Sequence, residues 1–105
     1  MDATEAKIRQ QIKDTTILVY MKGSPRMPQC GFSARVVECL NACGVEFGFV
    51  NVLENPDIRA KLPEIANWPT FPQLWVNGEL IGGCDIVTEL HAQGELAPLL
   101  KGKKH

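Results

Sequence analysis

From Ala3 to Thr15 the apolar marks Ile8 and Ile12 stand four apart among charged neighbours, the pattern of a surface helix with one inward stripe. Ile17-Leu18-Val19-Tyr20-Met21 is a run of β-branched and aromatic residues with no polar break, which predicts a strand buried on both faces. Lys22 to Gln29 holds one glycine and two prolines and predicts a loop directly after that strand. Phe32, Val36, Leu40 and Cys43 then recur at helical spacing, so a helix starts near Cys30, carries Cys30 in its first turn and ends at Gly44. Val45 to Val52 predicts a second strand. Asn55-Pro56 caps and opens a third helix through Ile58, Leu62 and Ile65, which Pro63 is expected to shorten or break.

Trp68-Pro69-Thr70-Phe71-Pro72 is too rich in proline for a strand. Gln73-Leu74-Trp75-Val76 and Glu79-Leu80-Ile81 flank Asn77-Gly78, which predicts a hairpin. Gly82-Gly83 closes it, Asp85 is the expected N-cap of a helix marked by Ile86, Val87 and Leu90, and Leu96, Leu99 and Leu100 mark a last short helix. The order α-β-α-β-α-β-β-α-α begins with a right-handed β-α-β crossover and adds an antiparallel hairpin. The expected fold is therefore α/β, a mixed four-stranded sheet flanked by helices.

A chain of 105 residues with 45% hydrophobic and 22% charged positions has the composition of one globular domain, here taken as 1–105. Its net charge of -1 gives no overall field for a phosphate backbone, so no nucleic-acid partner is expected. The basic group Lys101, Lys103 and Lys104 reads as a solvated end. No run of apolar residues reaches membrane-spanning length, and the polar start has no signal-peptide core, so no membrane association is expected. The cytoplasm is the expected location, although a processed organellar chain would look the same. Cys30, Cys39, Cys43 and Cys84 are accordingly read as reduced thiols.

Cys30 stands where a strand, a loop and a helix meet. The unpaired N–H groups and dipole of the helix start stabilise a thiolate there, and Lys22 at the far end of the loop adds positive potential. A second thiol at position 33 would complete a Cys-x-x-Cys pair, but Ser33 occupies it, so any second sulfur must come from elsewhere. Cys43 continues the apolar stripe of its helix and Cys39 neighbours it, both as packing residues. Cys84 begins another helix after two glycines and has an open role: backbone positioning, a resolving thiol, or neither. With His91 and His105 as the only imidazoles, the cysteine spacings fit no all-protein zinc site.

Four segments together, Lys22-Gly-x-Pro25, Pro28-x-Cys30-Gly31-Phe32-Ser33, Trp68-Pro69-Thr70-Phe71-Pro72-Gln73 and Gly82-Gly83-Cys84-Asp85, give the chain a resemblance to the monothiol (CGFS-type) glutaredoxins, especially bacterial single-domain members. The resemblance spans nearly the whole chain. It implies a thioredoxin-like fold and a [2Fe-2S] cluster bridging a homodimer, with the thiolate of Cys30 as the metal ligand from each chain and glutathione supplying the other sulfurs. It also implies delivery of the cluster to iron-sulfur recipient proteins, a BolA-type partner, and weak disulfide reduction. Glutathione contacts are implied at Lys22, Arg59, Phe71, Cys84 and Asp85, with Pro72 in the cis form.

The residue chemistry accords with this. Glutathione carries carboxylates that suit Lys22, Arg59 and a helix start at Cys84-Asp85, and an ammonium that suits Asp85. Thr70 to Pro72 would form a wall, Trp68 a core aromatic or part of that wall, and Gly82-Gly83 a place where backbone approaches a ligand. Two other functions remain open at this point: enzymatic removal of glutathione from protein thiols by Cys30, and a regulatory adaptor acting through a BolA-type partner. Some relatives have a longer tail than the five residues that follow Leu100 here.

Overall fold

The computed structural model describes residues 2–102, so Lys103, Lys104 and His105 lie outside the described residues. Helix α1 (Ala3–Asp14) precedes strand β1 (Ile17–Met21), and helix α2 (Gly31–Ala42) leads to strand β2 (Gly48–Asn51). Helix α3 (Pro56–Ala66) is followed by the hairpin of β3 (Gln73–Val76) and β4 (Glu79–Gly82), then by α4 (Cys84–Ala92) and α5 (Leu96–Leu100). The sheet order is β2-β1-β3-β4, with β1 parallel to β2 and antiparallel to β3, the mixed four-stranded sheet expected. Among the described residues no helix is long and apolar enough to cross a membrane.

The unbroken apolar run of β1 has a direct structural counterpart. Ile17, Val19 and Met21 enter a core with Val36, Leu40, Val87 and Leu96, while Leu18 and Tyr20 enter a second core with Ile8, Ile58 and Leu62. Alternate side chains point to opposite faces, so a strand covered on both sides must be apolar throughout. The Tyr20 hydroxyl brings its own acceptor, donating to Gln11 Oε1 at 2.9 Å. Lys7 pairs with Asp57 at 2.7 Å and links α1 to α3 at the surface.

Local differences from the sequence reading have identifiable causes. Strand β2 begins at Gly48 rather than Val45, because Val45 and Phe47 pack on the core without joining the ladder. Helix α3 runs through Pro63 unbroken. A proline there removes the one N–H that would reach the Arg59 carbonyl, close to the helix end, while buried Ile58 and Leu62 hold the helix on the sheet. Asn55 is the cap of α3, but its side chain donates to Asn51 O at 2.8 Å rather than capping the helix. Helix α4 is capped by Gly83, which places Asp85 within the first turn instead of at the N-cap. At the hairpin, Asn77 and Gly78 both have positive φ, as their pairing predicts.

The loop between β1 and α2 is tied down along its length. Gly23 N–H donates to Asn51 Oδ1 at 2.9 Å, Gln29 N–H donates to Lys22 O at 2.9 Å, and Gly23 bridges Pro28. Gly23 has φ +96, and a Cβ there would stand 2.5 Å from Met27 O and 2.6 Å from Gln29 N. Gly44, which ends α2 at φ +69, has open space around it. Gly44→Ala should therefore cost about 1 kcal/mol, the left-handed backbone alone. Gly23→Ala should cost about 2 kcal/mol or more, because backbone must also move. Urea unfolding midpoints of the two variants check the ranking, and equal losses would contradict it.

Candidate active site

Cys30 is the N-cap of α2, with extended backbone at φ -151 and ψ 135, rather than a residue of its first helical turn. The difference favours the chemistry. An N-cap side chain faces the N–H groups of the turn that follows, whereas a first-turn side chain lies beside them. The helix ladder begins with Ala34 N–H donating to Cys30 O at 3.0 Å, which leaves the preceding amides for the sulfur. The nearby backbone amides of Ser33 and then Phe32 hold the Cys30 pKa below the ordinary thiol value, against some opposition from burial. The Lys22 ammonium and the Ser33 hydroxyl act in the same direction.

Ser33 is fully buried, and its Oγ accepts the Lys22 N–H at 3.1 Å. The hydroxyl thus fastens the end of β1 to the first turn of α2. From the sequence, Ser33 registered only as a missing thiol, and its structural part went unread. Asn51 was likewise missed. Its Oδ1 accepts from Gly23 and Leu53 amides, at 2.9 and 3.0 Å, and fixes the loop that leads to Cys30.

The other thiols are in a different state. Cys39 and Cys43 are buried in the core beside α2, and burial raises both pKa values. Cys84, half-buried at the start of α4, is raised by burial and next by the neighbouring Asp85 carboxylate. Cys30 is thus the thiol whose pKa is lowered, while those of Cys39, Cys43 and Cys84 are raised. Among the described residues no group of three or more His, Cys, Asp or Glu side chains could hold a metal ion.

A cleft of about 740 Å³ opens beside Cys30. Lys22, Arg59, Thr70, Phe71, Pro72, Gly83, Cys84 and Asp85 line it, which brings together every residue singled out from the sequence except Gly82, whose φ is +149 at the end of β4. The Phe71–Pro72 peptide is cis, as the resemblance implied. Trp68 belongs to the wall rather than to either core. Helix α4 enters the cleft with Val87 N–H donating to Gly83 O at 3.0 Å, so the amides of Cys84, Asp85 and Ile86 precede the ladder and are available to an anion. Helix α2 presents its own start to the same cleft through Cys30 and Phe32. Two helix N-termini and two cations, Lys22 and Arg59, therefore converge on one cavity.

The residues fit an extended, doubly anionic peptide thiol. A Cβ at Gly83 would stand 3.2 Å from Pro72 O, so a side chain there would crowd the junction of two walls. Phe32 and Ile86, which line the cleft, are apolar and 63% and 39% exposed. Sequence reasoning did not single out Ile86 for the site, since an isolated exposed apolar residue is ordinary and only its place with Phe32 in the cleft of Cys30 is informative.

The comparisons with known proteins follow this geometry. The family model described as Glutaredoxin matches residues 17–81. Glutaredoxin 4 of Escherichia coli K12 is 61% identical over 101 residues, covering 96% of this chain and 88% of that one. The solution structure of reduced poplar apo GrxS14 superposes with a TM-score of 0.82 at 40% identity, over 95% of this chain and 92% of that one. The crystal structure of a buckwheat glutaredoxin-glutathione complex does so with a TM-score of 0.82 at 26% identity, over 94% and 88%. Likeness of this extent settles the kinship: the chain belongs to the glutaredoxin family, and with Ser33 in the position of a second thiol it is a monothiol member.

Proposed function

We propose that this glutaredoxin binds glutathione in the cleft beside Cys30 and carries or stores a [2Fe-2S] cluster for iron-sulfur protein biogenesis. The cluster is cargo, held between two copies of the chain. The observation that carries this reading is the placing of Cys30 in the cleft at the start of α2 with Ser33, not a second thiol, one turn on, and with Cys39 and Cys43 buried in the core. A cluster with all-sulfur ligation needs four thiolates, so a chain offering one requires both a second chain and outside thiols. A cleft that suits glutathione beside that thiolate supplies them. A buckwheat glutaredoxin of similar structure forms a complex with glutathione, which supports that ligand.

In this arrangement Lys22 and Arg59 bind carboxylates, Asp85 accepts from the ammonium, and the amides of Cys84 and Asp85 receive the remaining anionic end. Phe71 offers backbone hydrogen bonds to the tripeptide, with Thr70 and Pro72 beside it as the wall. Cys30 holds the metal, its negative charge stabilised by the Ser33 and Phe32 amides. The exposed apolar side chains of Phe32 and Ile86 at the cleft suit contact with a second protein surface: another copy, a BolA-type partner, or a recipient of the cluster. The cytoplasm, where glutathione is abundant and reduced, suits this chemistry.

The lowered pKa of Cys30 also equips it to attack glutathionylated protein thiols, the second reading. Anaerobic reconstitution over a range of glutathione concentrations, with mass, iron, sulfide and bound tripeptide measured on the same fractions, separates the two. The carrier requires cluster formation to convert monomer to dimer and glutathione depletion to reverse it. Cys30→Ser should abolish cluster binding, whereas Cys39→Ala and Cys43→Ala should retain it. A stable monomeric cluster without glutathione would overturn the mechanism, and robust deglutathionylation with no cluster formed would favour the reductase.

Replacing Lys22 and Arg59 together by alanine should weaken glutathione binding about tenfold to a hundredfold, as read by titration calorimetry. Unchanged affinity would move the ligand elsewhere. Selective alkylation tests the thiolate directly. Because the folded pKa of Cys30 is lowered, its reactivity persists to lower pH than that of an ordinary thiol and is lost only as pH falls below that pKa. Cys39, Cys43 and Cys84, whose values are raised, should lose reactivity first. Mass mapping of iodoacetamide adducts across pH should find Cys30 modified at the lowest pH, and any other order would contradict the site electrostatics.

A further inference from the structure

The indole of Trp68 carries a donor that neither the fold nor the thiol chemistry uses. Its Nε1–H is buried and has no acceptor, the one side-chain nitrogen or oxygen in that condition among the described residues. Trp75 provides the contrast, since its Nε1–H donates to Gln73 Oε1 at 3.1 Å. Buried donors in folded proteins are nearly always paired, so an orphan inside a ligand-sized cavity points to a partner that arrives with the ligand.

The surroundings of Trp68 narrow what that partner can be. The ring lines the cleft, and its N–H edge lies against the backbone of Gly83. A Cβ at Gly83 would stand 3.4 Å from Nε1, 3.7 Å from Cζ2 and 3.2 Å from Pro72 O. The indole therefore backs the junction of two walls, Thr70 to Pro72 and Gly83 to Asp85. Gly83 covers the donor with backbone alone and has no side chain to obstruct a small displacement. The charged groups of the cavity, Lys22, Arg59 and Asp85, match the ends of a zwitterionic peptide, and Trp68 lines the same cavity.

Resting on the reading of this cleft as a glutathione site, we propose that Trp68 is a further binding residue, whose indole N–H takes a carbonyl or carboxylate oxygen of the bound tripeptide as the Gly83 segment shifts. Pairing an already desolvated donor is favourable because no hydrogen bond to water has to be given up first. An exposed donor on the rim would have to exchange a water for the ligand and gain correspondingly less. The bond also gives a tryptophan a role that phenylalanine, equal in aromatic character, cannot fill.

The chain has two tryptophans and so gives two indole N–H resonances in nitrogen-15-labelled protein, with Trp68→Phe identifying one by its loss. On titration with reduced glutathione the Trp68 resonance should move downfield and its solvent exchange should slow, while that of Trp75 stays in place. Trp68→Phe should bind glutathione about fivefold to tenfold more weakly by calorimetry, on the scale of one lost hydrogen bond. Saturable shifts of the Cys84 and Asp85 amides with a stationary Trp68 indole would overturn the proposal and leave the cleft assignment standing, as would undiminished affinity in the variant. If neither the amides nor the indole respond, the glutathione reading fails and this inference falls with it. The wild-type titration decides the matter even should Trp68→Phe fold poorly.

Discussion

The site depends above all on one part-buried contact, the Lys22 N–H donated to Ser33 Oγ at 3.1 Å. It joins the last residue leaving β1 to the first turn of α2, and Cys30 sits between these two anchored points. With Ser33 held, its own amide and that of Phe32 face the Cys30 sulfur and depress its pKa. A freely moving helix start could not do this, because dipole and hydrogen-bond stabilisation of a thiolate falls off within a turn. Asn51 acts from the other side, accepting the Gly23 N–H and closing the base of the loop on the end of β2. The reactive group thus rests on the sheet's carboxyl end through hydrogen bonds, while its own side chain makes none to a cap.

Burial on both faces of the sheet explains why this small chain can hold such a site. Odd positions of β1 feed the core under α2 and α4, even positions the core under α1 and α3, so the strand is clamped from both sides. Strand β3, buried at all four positions, continues this central rib. Rigid central strands let the loops at their ends differ without loss of alignment, and the cleft is made of those ends: the exit of β1, the approach to β3 and the exit of β4.

Much of the architecture was legible because the periodicities are sharp: an apolar run for β1, a four-residue stripe for α2, Asn77-Gly78 for the hairpin. The departures occur where local propensity meets tertiary packing. Pro63 does not break α3, since Ile58 and Leu62 anchor the turns before it. Val45 and Phe47 look like strand residues by composition, yet they pack on the core outside the ladder. Asp85 is an excellent N-cap by type, but Gly83 takes the position and leaves Asp85 in the turn, facing the cleft. Within the site, the residues found by chemistry type were legible; those acting through a buried hydroxyl or amide, Ser33 and Asn51, were not. Polar side chains that bond to backbone leave no periodic trace in a sequence, and Ser33 drew attention only because a cysteine was absent there.

Charge placement completes the account. The three ion pairs found among the described residues, Lys7 with Asp57, Arg9 with Glu5 and Lys61 with Asp2, all lie on α1, α3 or the residue capping α1. Lys22 and Arg59 enter none of them, although both line the cleft. A net charge of -1 thus conceals a local surplus of positive potential where two helix starts and two free cations meet. The same balance that gives no field for a nucleic-acid backbone is compatible with a pocket that selects a small anion, because clefts with low-dielectric walls focus the field of the charges lining them. Pairing the cations within the chain would tie up the groups an anionic peptide needs. Leaving them unpaired keeps them available in the same cleft as Cys30, the thiol that has a use for the ligand's sulfur.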